Sequence, residues 1–169
     1  MHILRPPFRM EDSAAVEFAA RRGFGLVAAC ERGELMGSHV PFVLRQHEAA
    51  VTVEFHVTTA NPLARLAEEG ARFLIAISGA DAYVSNDWYA SPDQVSTWLY
   101  EAVHLSGPAR IRPLSENRSH GDALLAAAEA QLPKSPWTLV SMEPGKRQAM
   151  LARSAWSMFW WTASRARVN

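Results

Sequence analysis

The sequence predicts an α+β domain, mainly β, of the barrel type. Three observations carry this. Short apolar or β-branched runs recur between Gly, Pro and Asn turn signals. Neighbouring runs read as hairpin strands, as in small barrels. The helical segments do not alternate with strands in a βαβ rhythm, which argues against a doubly wound parallel sheet.

Taken in order, EDSAAVEFAARR (11–22) reads as a helix, with Asp12 or Ser13 as its cap and Gly23 after its basic end. Residues 24–29 are a short apolar strand, and ERGE (31–34) is a hairpin turn. Residues 35–45 form the return strand, interrupted at Gly37 and Pro41, because proline in a strand belongs at an edge or bulge. AVTVEFHV (50–57) alternates and is β-branched, so it is a strand. Asn61-Pro62 opens a short helix over 63–69 that Gly70 ends. Strands follow at 72–77 and 82–85, then a polar loop carrying Trp88 and Tyr89. Two more strands, 97–105 and 108–112, flank Ser106-Gly107. An alanine-rich helix spans 115–131, and 142–153 reads as another.

The 169 residues suit one domain and bury a full core without staples. Apolar residues at 49% and charged residues at 20% are ordinary for a globular chain. Lys plus Arg and Asp plus Glu are 17 each, so the chain lacks the overall basic excess usual in nucleic-acid binders, and net charge leaves a local basic patch open. Cys30 is the single cysteine and lies in an apolar run, where a core thiol is expected. One cysteine, no signal peptide and no bilayer-length apolar run place the chain in the cytoplasm, with no membrane partner.

Familiar catalytic patterns are missing. The histidines lack HExxH spacing and there is no CxxC, so no metal is expected. No GxSxG elbow or Walker loop occurs, and RRGFG leads into a strand rather than a helix. Catalytic residues therefore stay unassigned. Four clusters remain: SHVP (38–41), HVTTANP (56–62), DAYVSNDWY (81–89) and STWLYEAVHLSG (96–107). Each mixes rings with hydroxyls, amides or imidazoles at strand ends. That mixture suits a planar ligand with a polar tail: rings stack, and small polar groups orient. Singly, each cluster also reads as core histidines, packed tryptophans or a helix-entry turn.

As an ordered series these motifs resemble the PaiB family, the FMN-binding negative transcriptional regulators. The opening MHILRPPFRMED is similar to that family's start, and the likeness is strongest over residues 1–112. The fourth motif departs from the family's PTWNY at Ser96 and Leu99. The resemblance implies a split β-barrel like those of flavin reductases and pyridoxamine-phosphate oxidases, with peripheral helices. It implies FMN in a groove at a homodimer interface, held by Ser38, His39, His56, Thr58, Asn61, Tyr83, Ser85, Trp88, Thr97 and Trp98. DNA as a partner is implied by the family alone. A dedicated enzyme is not the leading expectation. The alternatives are a flavin-dependent oxidoreductase on the same fold, with His39, His56 or His104 as proton donors, and a dimerisation module without ligand.

The expected boundary separates an FMN-binding domain, 1–153, from an atypical tail, 154–169. SAWSMFWWTASRARVN departs from a family ending like EGKWKLSQN. Read one base earlier, permitted codons give (V/I)GMVDVLVDRLEGTRKL, so a frameshift is the expectation, and the gene's nucleotides decide it. The tail is expected to pack irregularly, with Trp156, Phe159, Trp160 and Trp161 as an exposed apolar patch.

Overall fold

The computed structural model describes residues 10–47, 50–91, 93–162 and 167–168. The first helix, α1 (Asp12–Arg22), buries Ala15, Phe18 and Ala19 and ends at Gly23, whose φ of 56° is left-handed. Glu11 holds the cap position without a side-chain cap bond, so neither Asp12 nor Ser13 caps. Strands β1 (Phe24–Glu31) and β2 (Glu34–His47) form a hairpin across Arg32 and Gly33, with φ of 50° and 89°. Two successive positive φ values match the twist of the flanking strands.

The expected interruption of β2 does not occur. Its first part pairs with β1 as far as Phe24↔Pro41. Its second part pairs with β3 (Ala50–Thr58) from Phe42↔Phe55 onward. Pro41 thus stands where the strand changes partner, a bend of the kind that tolerates proline. Two further expected breaks also close. β4 (Arg72–Val84) and β5 (Thr97–Ile111) are continuous, with one register shift between Ser78 and Asp81. Ser106, Gly107 and Pro108 stay in the ladder opposite Leu74, Phe73 and Arg72.

β1 pairs with both β2 and β4, and β4 pairs with β5. On the other side, β3 pairs with β6 (Ser154–Thr162), which also meets β5 at 109–111. β7 (Arg167–Val168) lies beside β5 at Val103 and His104. Two antiparallel sheets therefore share β2 and β5, the arrangement of a split barrel. Inside lie Val27, Phe42, Val53, Phe55, Phe73, Ile75, Ile77, Val103 and Leu105, all nearly sealed from solvent. Burying one such side chain contributes about 1.5–3 kcal/mol. Helix α2 (Pro62–Glu68) adds Leu63, Ala64, Leu66 and Ala67 to this core. Helices α3 (Asn117–Glu129) and α4 (Pro144–Ala152) stand against the outer side of β2 and β3.

Two expectations are corrected. Cys30 is exposed, because alternation in β1 turns Val27 and Ala29 inward and Cys30 outward. The tail is not irregular over 154–162: its backbone pairs with β3 at nine positions, which spares the buried Val51, Val53 and Phe55 an open edge. The expected exposure of Trp156, Phe159, Trp160 and Trp161 concerns side chains outside the description. The opening motif at 1–9 and residues 163–166 and 169 lie outside the described residues. Among the described residues, no helix is long and apolar enough to cross a membrane.

Candidate functional site

Within one chain the ten candidate residues occupy two regions, a corner and an arm. The corner lies where β2, β3 and the start of α2 meet. Asn61 caps α2 by accepting from the Leu63 N–H at 3.0 Å, and its Nδ2 donates to Ser38 Oγ at 2.8 Å. Ser38 and Asn61 are therefore joined directly, and the Ser38 hydroxyl keeps its own proton for another acceptor. His39, one residue on, points to the opposite face and stacks on Phe24 at 6.0 Å with 18° between rings. His56 shares that outer side of the barrel but is turned toward α3, and exposed Thr58 follows it along β3. The Thr59 N–H donates to the Arg153 carbonyl at 3.2 Å, which brings an exposed guanidinium-bearing residue beside the corner.

The arm is the outer end of the β4–β5 ribbon. Beyond the register shift, Asp81↔Tyr100 to Val84↔Thr97 pair as two strands, whereas β1 stops at Ala76. Tyr83 and Trp98 form a tilted pair at 5.9 Å, half exposed, and the Trp98 indole donates to Asp81 Oδ1 at 3.0 Å. Leu99 and Tyr100 are equally exposed, and Trp88 is 72% exposed. The loop joining the strands is held by its own hydroxyls. Ser85 caps the turn at Asn86–Trp88, while Ser96 Oγ accepts from the Asn86 N–H and donates to Asn86 Oδ1. Ser96, a departure from the family pattern, thus closes this loop; Thr97 opens β5 beside it.

Between corner and arm lies the outer face of the first sheet. Register sets His39, Leu26, Ala76 and His104 side by side across β2, β1, β4 and β5. Leu35, Phe24 and Leu74 share this face and are exposed. Burial pushes the His104 imidazole below its ordinary value.

A third group escaped the sequence reading. Arg45 Nε pairs with Glu54 Oε1 at 2.8 Å, and Glu54 Oε2 lies 3.9 Å from His120 Nδ1. His120 Nε2 in turn stands 3.3 Å from His56 Nδ1. Burial penalises the Glu54 carboxylate, but the nearby His120 imidazole and the Arg45 guanidinium, bonded at 2.8 Å, outweigh it and hold the carboxyl below its ordinary value. Burial, with His120 adjacent, holds His56 below 6.5. The signal was present: Thr52, Glu54 and His56 alternate through a strand whose other face is wholly apolar. His120 and Asn117 were hidden inside a segment that reads as an ordinary helix.

A family model described as "Putative FMN-binding domain" matches residues 1–154. "Protease synthase and sporulation protein PAI 2" of Bacillus subtilis (strain 168) is 33% identical over 94 residues, 56% of this chain. The match spans 45% of that relative, so the chain covers under half its length. Solved structures agree on the fold. The FAD and heme binding protein from Mycobacterium smegmatis superposes with a TM-score of 0.59 at 17% identity, covering 94% of this chain and 81% of that one. The flavocytochrome Anf3 from Azotobacter vinelandii gives 0.61 at 14%, covering 99% and 81%. A protein from Listeria innocua titled "Putative Pyridoxamine 5'-phosphate oxidase" gives 0.50 at 8%, covering 93% and 96%.

Proposed function

The chain belongs to the FMN-binding domain family, of the PaiB type, and on that premise we propose that it holds FMN between the two subunits of a homodimer and acts as a negative transcriptional regulator. The projecting arm is the observation that carries the dimer. A two-stranded ribbon is marginal alone in water. This one leaves Tyr83, Trp98, Leu99 and Tyr100 about half exposed. The adjoining sheet face, with Phe24, Leu35 and Leu74 uncovered, continues the same apolar surface. A second copy would cover both and bring its arm to the first copy's corner.

The chain's own groups fit a flavin in that groove. Tyr83 and Trp98 offer ring faces for stacking. Ser38 and Thr58 offer hydrogen bonds at the corner, and Arg153, whose carbonyl accepts from the Thr59 N–H, is the neighbouring cationic residue for a phosphate. Bound FMN would supply a redox-active isoalloxazine, while the protein fixes its position.

The regulator part rests on the family likeness and would require DNA contacts despite the zero formal net charge. Purification tests the whole reading. A yellow protein with a flavin spectrum, of dimeric mass, that retains specific DNA in a salt-sensitive way supports it. A colourless monomer refutes it. Bleaching of the flavin by NAD(P)H without DNA retention would replace the regulator with an oxidoreductase.

A further inference from the structure

Away from the arm and the exposed sheet face, the fold encloses a second chemical environment. A cavity of about 310 Å³ lies between α3, α4, residues 137–142 and the outer side of β2 and β3. Its walls are apolar, chiefly Leu124, Leu125, Trp137, Leu139 and Met150. Among the described residues, imidazole and amide side chains enter it as His56, His120 and Asn117. The Asn117 amide Nδ2 is committed to the Leu151 carbonyl at 2.8 Å. The imidazole pair remains as the working polar end, and His120 is 2% exposed.

We propose that this cavity binds a small, mainly apolar weak acid, an aromatic carboxylic acid or a phenol, with its acidic oxygen against His56 and one proton taken up by the His56–His120 pair. The size lies at the lower end of small-molecule pockets, about 300–1,000 Å³. The chemistry follows from charge balance. Arg45 and Glu54 already compensate each other at 2.8 Å. The imidazole pair beside them has room for one added proton, with His120 Nδ1 facing Glu54 Oε2 at 3.9 Å. The pair gains one proton, from the ligand's O–H when it enters as the neutral acid or from solvent when it enters as its anion, as a carboxylate does near neutral pH, and the conjugate base is held by an N–H of His56. The region gains one positive and one negative charge together, so neither is buried alone. Among the described lining side chains, a phosphate dianion meets no Lys or Arg. A ligand without an acidic group would leave the pair's proton capacity unused. This inference does not depend on flavin binding or on the dimer.

The test is titration calorimetry of the full chain with benzoate near neutral pH. It is run in two buffers of unlike ionisation enthalpy, with and without FMN. One benzoate per chain is expected, with net proton uptake and no competition from FMN. Benzyl alcohol should bind at least tenfold more weakly and take up no proton. His56→Gln should abolish the uptake and weaken benzoate at least tenfold. Leu124→Trp should block the cavity, and Ala128→Trp, at an exposed position on its rim, does the same should the first variant not fold. Absence of saturable benzoate binding overturns the proposal. So does binding without proton uptake, binding indifferent to His56→Gln and both tryptophan variants, or displacement of benzoate by FMN. A chain that binds benzoate but no FMN would keep this inference and defeat the flavin reading.

Discussion

One ribbon, β4 with β5, contains both the most buried and some of the most exposed large side chains of the protein. In its inner half Phe73, Ile75, Ile77, Val103 and Leu105 are at most 1% exposed. In its outer half Tyr83, Trp98, Leu99 and Tyr100 are about half exposed. Both halves pair in antiparallel ladders, and both are rich in large apolar or aromatic residues. The difference lies in the surroundings. The inner half has β1 beside it and the barrel core beneath it; the outer half lies past the end of the β1 pairing. The side chains of one half make a fold, and those of the other half wait for a surface.

The largest effect should come from the inner half. Ile75→Ala should cost about 2–5 kcal/mol, read from urea unfolding. In chains diluted to monomers, Leu99→Ala in the outer half should cost no more than about 0.5 kcal/mol. Equal costs would erase the distinction. Next, Trp98→Ala should weaken both dimerisation and FMN binding by tenfold or more, about 1.4 kcal/mol, while leaving the monomer's unfolding midpoint in place. Sedimentation and flavin-fluorescence titration would check this.

A third effect concerns acid. His56 is held below 6.5 in the folded chain, so between that lowered value and 6.5 the unfolded state binds more protons. The carboxyl of Glu54 is also held low, below the ordinary 4.5, and acts in the same sense further down. Stability should therefore be full above 6.5 and fall progressively as pH drops. Thermal melts of Glu54→Gln should flatten the steeper fall near and below 4.5. A wild-type midpoint that rises on acidification would contradict both assignments. The smallest effect belongs to Arg153→Gln, a few-fold loss of FMN affinity that shrinks as salt screens the exposed guanidinium. No salt dependence would remove Arg153 from the corner.

The sequence announces strands wherever apolar alternation is uninterrupted, as over 50–57, and hairpins wherever a Gly follows a polar pair, as at Arg32-Gly33. It conceals continuity wherever Gly and Pro occur inside a long strand. Pro41, Gly107 and Pro108 read as breaks, yet β2 changes partner at Pro41 and β5 runs through Gly107 and Pro108 still paired with β4. The candidate site was legible as four motifs, and their division between a corner and an arm was not. Ser38 and His39 are neighbours in sequence and face opposite sides of a sheet, a consequence of the two-residue period. The Glu54–His120–His56 chain was out of reach because His120 is 64 residues from His56, and only the docking of α3 on β3 brings them together.

The account turns on the arm of one chain completing the corner of another. Light scattering coupled to flavin absorbance, on wild type and Trp98→Ala, tests it directly. Wild type should elute at twice the chain's 18.7 kDa with FMN bound, and Trp98→Ala should elute as a folded single chain that has shed its flavin. A wild-type protein that carries FMN at 18.7 kDa, and keeps it after Trp98→Ala, would contradict the account.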